Sequence, residues 1–276
     1  MMENPLRALR AYLHIESDSS IKFHTGKILK TIIYSLARET QLYRGMRGII
    51  SPLHLSPLFS PGKHEWELGE VVTPRYDEKE KLDPVKLNGE YMIHIGGIAQ
   101  FTKKAEKAFE RLKVPLQIKI KNVILEIQLE KMSEITNFID EKRIEGDKVT
   151  LYMKAPTKLF NVFVQSKLPK FNISAVEVLM VPYMFLAGEL SLKESLLFKA
   201  IQLLGRMTET WYSVNTVKSY LIPFNDRKTP VIIGKITYIL EDKNKYEDYY
   251  NLILKIAEIV GVGQSRLNGF GTVTWK

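Results

Sequence analysis

The sequence contains no cysteine, which excludes disulfides and thiolate-bound metals and fits a reducing, cytoplasmic setting. Long hydrophobic runs are missing too. The longest apolar stretch, residues 176–188, is interrupted by Glu177 and Pro182 and is too short to cross a bilayer, so no membrane association is expected. The opening residues lack the apolar segment of a secretion signal. Histidine is scarce: His14, His24, His54, His64 and His94 are scattered without metal-ligand spacing, so neither a metal nor another cofactor is expected. No Walker A sequence occurs. Acidic residues are sparse in two places. Between residues 19 and 64, Glu39 stands alone against seven Lys or Arg, and residues 259–276 contain no acid at all.

What is present points to a folded, basic protein. The chain has 276 residues, 45% of them apolar, enough for one large domain or two ordinary ones with real cores. Lys and Arg number 40 against 31 Asp and Glu, a net charge of +9, which favours a polyanionic partner.

Periodicity gives the organisation. Leu9, Ala11, Leu13 and Ile15 alternate with Arg10, Tyr12, His14 and Glu16, the pattern of a strand with one buried face and one polar face. Ile28, Leu29, Ile32, Ile33 and Leu36 then recur at helical spacing, with Thr25 as the expected N-cap. Extended segments follow at 48–59 and 91–99, separated by a charged loop or hairpin at 60–90. Thr102 is expected to cap a second helix with Ala105, Ala108, Phe109 and Leu112 on its buried stripe, and Leu125, Ile127 and Leu129 alternate in a strand. The order is β-α-β-β-α-β. After a charged connector at 131–147 the theme repeats more loosely. A strand spans 149–153, and Ser191 and Glu194 suggest a capping box for a helix through Leu196, Ala200, Leu203 and Met207. Strands at 217–224 and 231–240, a helix carrying Tyr249, Leu252, Ile253, Ile256 and Ile259, and a last strand at 269–275 complete it. The fold class is therefore α+β, two tandem ferredoxin-like units: an N-terminal domain at 1–130, a linker at 131–147 and a C-terminal domain at 148–276, with residues 154–190 read as an insertion.

The stretch 261–271 is the most informative. Gly261, Gly263, Gly269 and Gly271 fall within eleven residues that also hold Ser265 and Arg266. Glycines permit positive φ and close backbone approach, successive N–H groups can bind phosphate oxygens, and Arg266 is a bidentate phosphate donor. The competing reading is a helix C-cap running into a bulged hairpin, with no ligand. A dinucleotide fingerprint fits badly, because this loop joins a helix to a final strand rather than a strand to a helix.

Gly-hydrophobic-Gly, then Ser265 and Arg266, then Gly269, Phe270 and Gly271, placed between the last helix and the last strand, resembles the signature of the RAMP superfamily. Together with Ile50, Ser51, Pro52 and Leu53, the run Ser56, Pro57, Leu58 and Phe59, and the two-unit organisation, the whole chain resembles the sixth CRISPR-associated protein family, endoribonucleases that process CRISPR repeat RNA. The loop identifies the superfamily better than the nuclease, because non-cutting relatives carry similar loops.

Lys27, Lys30 and Tyr34 share the face of the first helix opposite its apolar stripe, His24 precedes the helix, and Arg44 and Arg47 follow it. A charged helix face is otherwise simply solvated. The resemblance implies cleavage by the RNA's own 2′-hydroxyl, with no metal, leaving a 2′,3′-cyclic phosphate and a 5′-hydroxyl. Many members of the family use a histidine near the first helix. Here Tyr43 stands roughly in its place, and Lys27 and Lys30 look like the arrangement of members that use lysines. The implied catalytic set is Lys30 and Lys27, Arg47 on phosphate charge, Tyr34 positioning the nucleophile, and His24 as an alternative proton-transfer group. His24 could equally be an exposed residue at the helix start. Arg44, Gly261, Gly263, Ser265, Arg266, Gly269 and Gly271 would hold RNA, and Arg227 and Lys228 form either a phosphate contact or an ordinary basic hairpin tip. The expected partner is CRISPR repeat RNA, with CRISPR effector-complex subunits as further candidates and a monomer or homodimer as the assembly. The alternatives are a non-catalytic RAMP subunit that holds guide RNA, and a ferredoxin-like protein with no nucleic-acid role.

Overall fold

The computed structural model describes residues 5–36, 50–64, 67–159 and 171–276. The first half is built on one large antiparallel sheet. Its elements are β1 (Leu6–Ser17), α1 (Gly26–Leu36), β2 (Leu53–Leu55), β3 (Leu58–Pro61), β4 (Leu68–Val72), β5 (Arg75–Tyr76), β6 (Leu82–Asp83), β7 (Asn88–Ile98), α2 (Ala99–Glu110), β8 (Leu116–Ile120) and β9 (Val123–Glu134). The strand order is β4-β3-β7-β1-β9-β8, with β2 also on β7, while β5 and β6 form a separate two-stranded ribbon. Its centre, β9-β1-β7-β3, has the ferredoxin-like arrangement, and the β8–β9 hairpin extends it. α1 and α2 cover one face, burying Leu9, Leu13, Ile15, Ile28, Leu29, Ile32 and Phe109 in one core.

The second half contains α3 (Thr136–Glu141), β10 (Lys148–Thr157), α4 (Ala175–Leu186), α5 (Glu194–Leu204), β11 (Met207–Glu209), α6 (Ser213–Thr216), β12 (Val217–Phe224), β13 (Arg227–Leu240), α7 (Lys243–Val260) and β14 (Val273–Trp275). Its sheet runs β11-β13-β10-β14, with β12 beside β11 on the long strand β13. α4, α5 and α7 bury that sheet in a second core containing Leu151, Leu179, Met184, Ile236, Tyr250 and Leu254.

Several local expectations are corrected. Only part of the polar face of β1 is solvated: His14 and Glu16 stay accessible, whereas Ala8 and Arg10 are buried beneath the second half, where Val181, Phe185, Ile256, Ile259 and Val260 pack on Ala8, Ile135 and Ile139. Alternation marked the faces but could not show that part of the polar one lies under another layer. Thr25 is buried, and its hydroxyl donates to Val72 O (2.6 Å) and accepts from Leu58 N (3.3 Å), tying α1 to the sheet. Thr102 sits inside α2, which starts at Ala99. α5 starts at Glu194 without a side-chain cap, and Met207 belongs to β11. The expected insertion at 154–190 carries α4, a helix buried almost all round. Such a helix has no amphipathic stripe, so periodicity could not find it.

Leu13 is fully buried at the middle of β1. Leu13→Ala should lower stability by about 2–5 kcal/mol, read as a reduced urea midpoint with the slope unchanged.

Candidate functional site

The start of α1 rests directly on the glycine-rich turn after α7. A methyl group on Gly26 would meet Asn268 O at 2.2 Å and Gly269 Cα at 2.5 Å, so only paired glycines allow this approach. Gly269 has φ +87° and Gly271 φ +78°, and a methyl on Gly271 would lie 1.9 Å from Val262 O. Gly261 and Gly263 are likewise buried with positive φ. The turn is therefore packed backbone against backbone. Several of its amides are taken by protein partners instead of being open to a phosphate: Val262 N donates to Gly271 O (2.8 Å), Gln264 N to Lys158 O (2.7 Å) and Gly271 N to Pro156 O (2.9 Å). Ser265, half-buried with φ +59°, stays at the surface.

Two expected RNA-facing groups are interior. Arg266 is buried and donates through Nη1 to Val260 O (2.5 Å) and through Nη2 to Ser51 O (2.6 Å), with Phe185 beneath its guanidinium at 5.1 Å. Burial pulls its pKa down to about 9. Its charge stitches the turn to the chain before β2 instead of reaching solvent. His24 is also buried. Its Nε2–H donates to Gly269 O (3.1 Å), so Nδ1 accepts from the Thr73 hydroxyl (2.8 Å). Phe270 lies 4.8 Å from its ring. Desolvation lowers its pKa to about 4, so this imidazole is a neutral joint rather than an accessible proton carrier. It is not the exposed residue of the competing reading either. Its spacing before α1 carried no sign of burial.

The lysines of α1 do face outward. Lys30 is half-buried, and its Nζ donates to Asn268 Oδ1 at 2.9 Å while lying 5.6 Å from the Tyr34 ring centre. Desolvation and then the neighbouring Lys27 lower its pKa. Tyr34 is 38% exposed, and burial raises its pKa. Lys27 lies over Phe23 at 5.9 Å and lines a cleft of about 220 Å³ with Lys22, Lys121, Asp226 and Arg227. Arg227 follows the Asn225–Asp226 turn, both of whose residues have positive φ, and the tip reaches the first half through Lys121–Asp226 and Lys228–Glu80 ion pairs. Lys228 is thus engaged by Glu80 and by Tyr76, 5.1 Å from its ring centre. Tyr76 lines this cleft; its neighbour Arg75 lines a larger groove of about 760 Å³ with Lys154, Lys218 and Lys235. Arg44, Arg47 and Tyr43 lie outside the described residues.

Sequence reasoning missed Asn268, Lys22, Lys121 and the groove lysines. Asn268 had a usable signal, being polar between Arg266 and Gly269 in the turn already singled out; the others come together only through the fold. Among the described residues no three His, Asp or Glu side chains gather as a metal would require, and no helix is long and apolar enough to cross a membrane.

No family model matches the sequence, and no curated protein matches it. Solved structures do. A Cas6 product complex aligns over 98% of this chain and 99% of its own at a TM-score of 0.62 and 14% identity. A second Cas6 product complex covers 99% and 100% at 0.63 and 11%. A Cas6-related protein from Pyrococcus furiosus covers 99% of each chain at 0.55 and 12%. The chain has the double ferredoxin-like fold of these proteins from end to end.

His24, His54 and His94 are all buried, with pKa values lowered mainly by desolvation, to about 4 for His24 and about 3 for His94. Their neutral forms stabilise the fold fully above the unfolded histidine pKa near 6.5. That contribution drains away as pH falls toward the folded values, by about 1.4 kcal/mol per pH unit for each histidine. Unfolding free energy measured between pH 7.5 and 4.5 should drop steeply, and His24→Gln should make the decline shallower.

Proposed function

We propose that this protein is an endoribonuclease that cleaves CRISPR precursor RNA within its repeats. The observation that carries the reading is Lys30, half-buried where the two halves meet, anchored by Asn268 of the glycine turn and crowded by Lys27. The whole-chain likeness to Cas6 product complexes supports the substrate class.

In this reading RNA lies along the outer face of α1, with phosphates against Lys27, Lys22, Arg227 and the Ser265 surface, and the strand continues into the groove of Arg75, Lys154, Lys218 and Lys235. Arg44 and Arg47 follow α1 in sequence and add phosphate contacts. Arg266 and the four glycines shape the turn without touching RNA. The 2′-oxygen attacks the adjacent phosphorus, the P–O5′ bond breaks, the 2′ proton passes to solvent water, and the 5′-oxygen gains a proton from Lys30. The products are a 2′,3′-cyclic phosphate and a 5′-hydroxyl. No metal is needed to make the nucleophile, since the substrate carries it. Lys30, as the ammonium, stabilises the dianionic phosphorane and supplies the proton to the leaving oxygen; its lowered pKa favours release, while bound phosphates oppose the shift. Tyr34 borders the same spot and aligns the attacking ribose.

The burial of His24 favours a second reading, a RAMP subunit that binds guide RNA without cutting, because it removes the imidazole next to α1. Repeat RNA incubated with the protein in EDTA separates the two. Cleavage that stops when one 2′-hydroxyl is replaced by hydrogen supports the nuclease, and tight binding with RNA left whole supports the subunit.

Lys30→Ala should slow cleavage of bound RNA by about 10²–10⁴-fold, the range for a proton-transfer group, while changing affinity much less. A collapse of binding at unchanged rate rejects the role. Activity should also fall on the alkaline side at a pH below the ordinary lysine value, and Lys30→Arg should shift that limb upward in single-turnover pH profiles. Arg266→Ala should lower stability yet leave the salt dependence of RNA affinity unchanged, as titrations at several ionic strengths would show.

A further inference from the structure

Between the two halves, away from α1, lies a cavity of about 740 Å³. Its apolar wall includes Ile135, Phe138 and Trp275; Arg10 and Lys142 line it, and so do the carboxylates Glu67, Glu134 and Glu258, with Glu134 held by Arg7. Arg10 is only 3% exposed, and among the described residues its Nε and Nη1 have no hydrogen-bond partner; the Trp275 Nε1–H has none there either. The buried carboxylate of this lining, Glu258, is already taken by Lys142 through bonds of 2.7 and 2.9 Å, and it reaches Arg10 only through space. Lys142 Nζ in turn lies 5.6 Å from the Trp275 ring centre and 5.7 Å from that of Phe138. Lys154 stands on the same lining with one long contact, 3.4 Å, to Leu68 O. Desolvation lowers the Arg10 pKa to about 10, against the opposing pull of Glu258. A buried guanidinium without a bonded acceptor is unfavourable unless an anion joins it. A partly open, largely apolar cleft with a few converging charged groups has the make-up of a small-molecule site.

We infer that this cavity binds a small organic anion, its phosphate or carboxylate facing Arg10 and Lys154 and a flat apolar part lying along Phe138 and Trp275. A nucleoside 5′-monophosphate belongs to that class and is the probe of choice. The site lies away from α1, though it shares Lys154 with the groove proposed for the RNA strand, and it does not depend on whether the chain cuts RNA.

Calorimetric titration and thermal melts of the full chain with 5′-AMP, adenosine and inorganic phosphate test it. AMP should bind one to one and raise Tm more than either half-molecule does. Arg10→Met should weaken AMP binding about tenfold or more, and Trp275→Phe should weaken it less; the latter keeps the inference testable if the arginine variant does not fold. Lys30→Ala should bind AMP normally. No binding of AMP, binding unchanged by both cavity variants, or binding lost in Lys30→Ala overturns the inference. A short oligoribonucleotide then identifies the source of the ligand. Competition with AMP means the cavity takes a nucleotide of a bound strand, and independence means it takes a free mononucleotide; either result upholds the site.

Discussion

The structure depends on a contact with no side chains in it: Gly26 at the head of α1 against Asn268 and Gly269 of the closing turn. Because the two backbones touch, Asn268 reaches Lys30, and His24 can bridge Gly269 O and Thr73. Insert one methyl group and α1 must lift from the turn, which separates the lysine from its anchor. The chemistry of the outer face is thus set by packing beneath it. Polar groups that looked available from the sequence, His24 and Arg266, hold this seam closed.

Much of the fold was legible and the site only partly. Strand alternation located β1 and β9, and helical spacing located α1, α2 and α7, because each presents one clear apolar face. α4 was hidden because it is apolar on every side; the broken extended segment at 48–59 was legible, but β4, β5 and β6 within the 60–90 segment were not resolved singly because they are short and irregular. Arg10 was misassigned to solvent because a period of two says which residues share a face and nothing about what covers it. At the site, Lys27, Lys30 and Tyr34 were readable as a helix face, and the turn as a special backbone. The direction of the turn was not. Positive φ and tight approach serve equally for an anion or for another stretch of main chain, and only three-dimensional packing decides between them. Cross-chain pairs such as Lys121 with Asp226 leave no mark in local sequence.

The interface between the halves is unusually polar for a buried surface. Arg10, His54, His94, Glu258 and Arg266 all lie in it, with an apolar patch around Ala8, Ile139, Phe185 and Ile256. Main-chain carbonyls satisfy several of these groups: Ile259 O accepts from His94, and Val260 O and Ser51 O accept from Arg266. Such bonds demand one relative placement of the halves, since a small slide would strand several buried donors together. Specificity of docking, more than strength, is what this surface provides.

The bond between His24 and Gly269 closes a loop of 245 residues. Closing so long a loop is entropically unfavourable and is compensated only when both cores are already formed, so this joint belongs among the last contacts made as the chain folds. Partly folded molecules would contain either half but not the lysine-bearing seam. The proposed working surface therefore serves as its own checkpoint, present only in chains whose two halves have both reached their final shape.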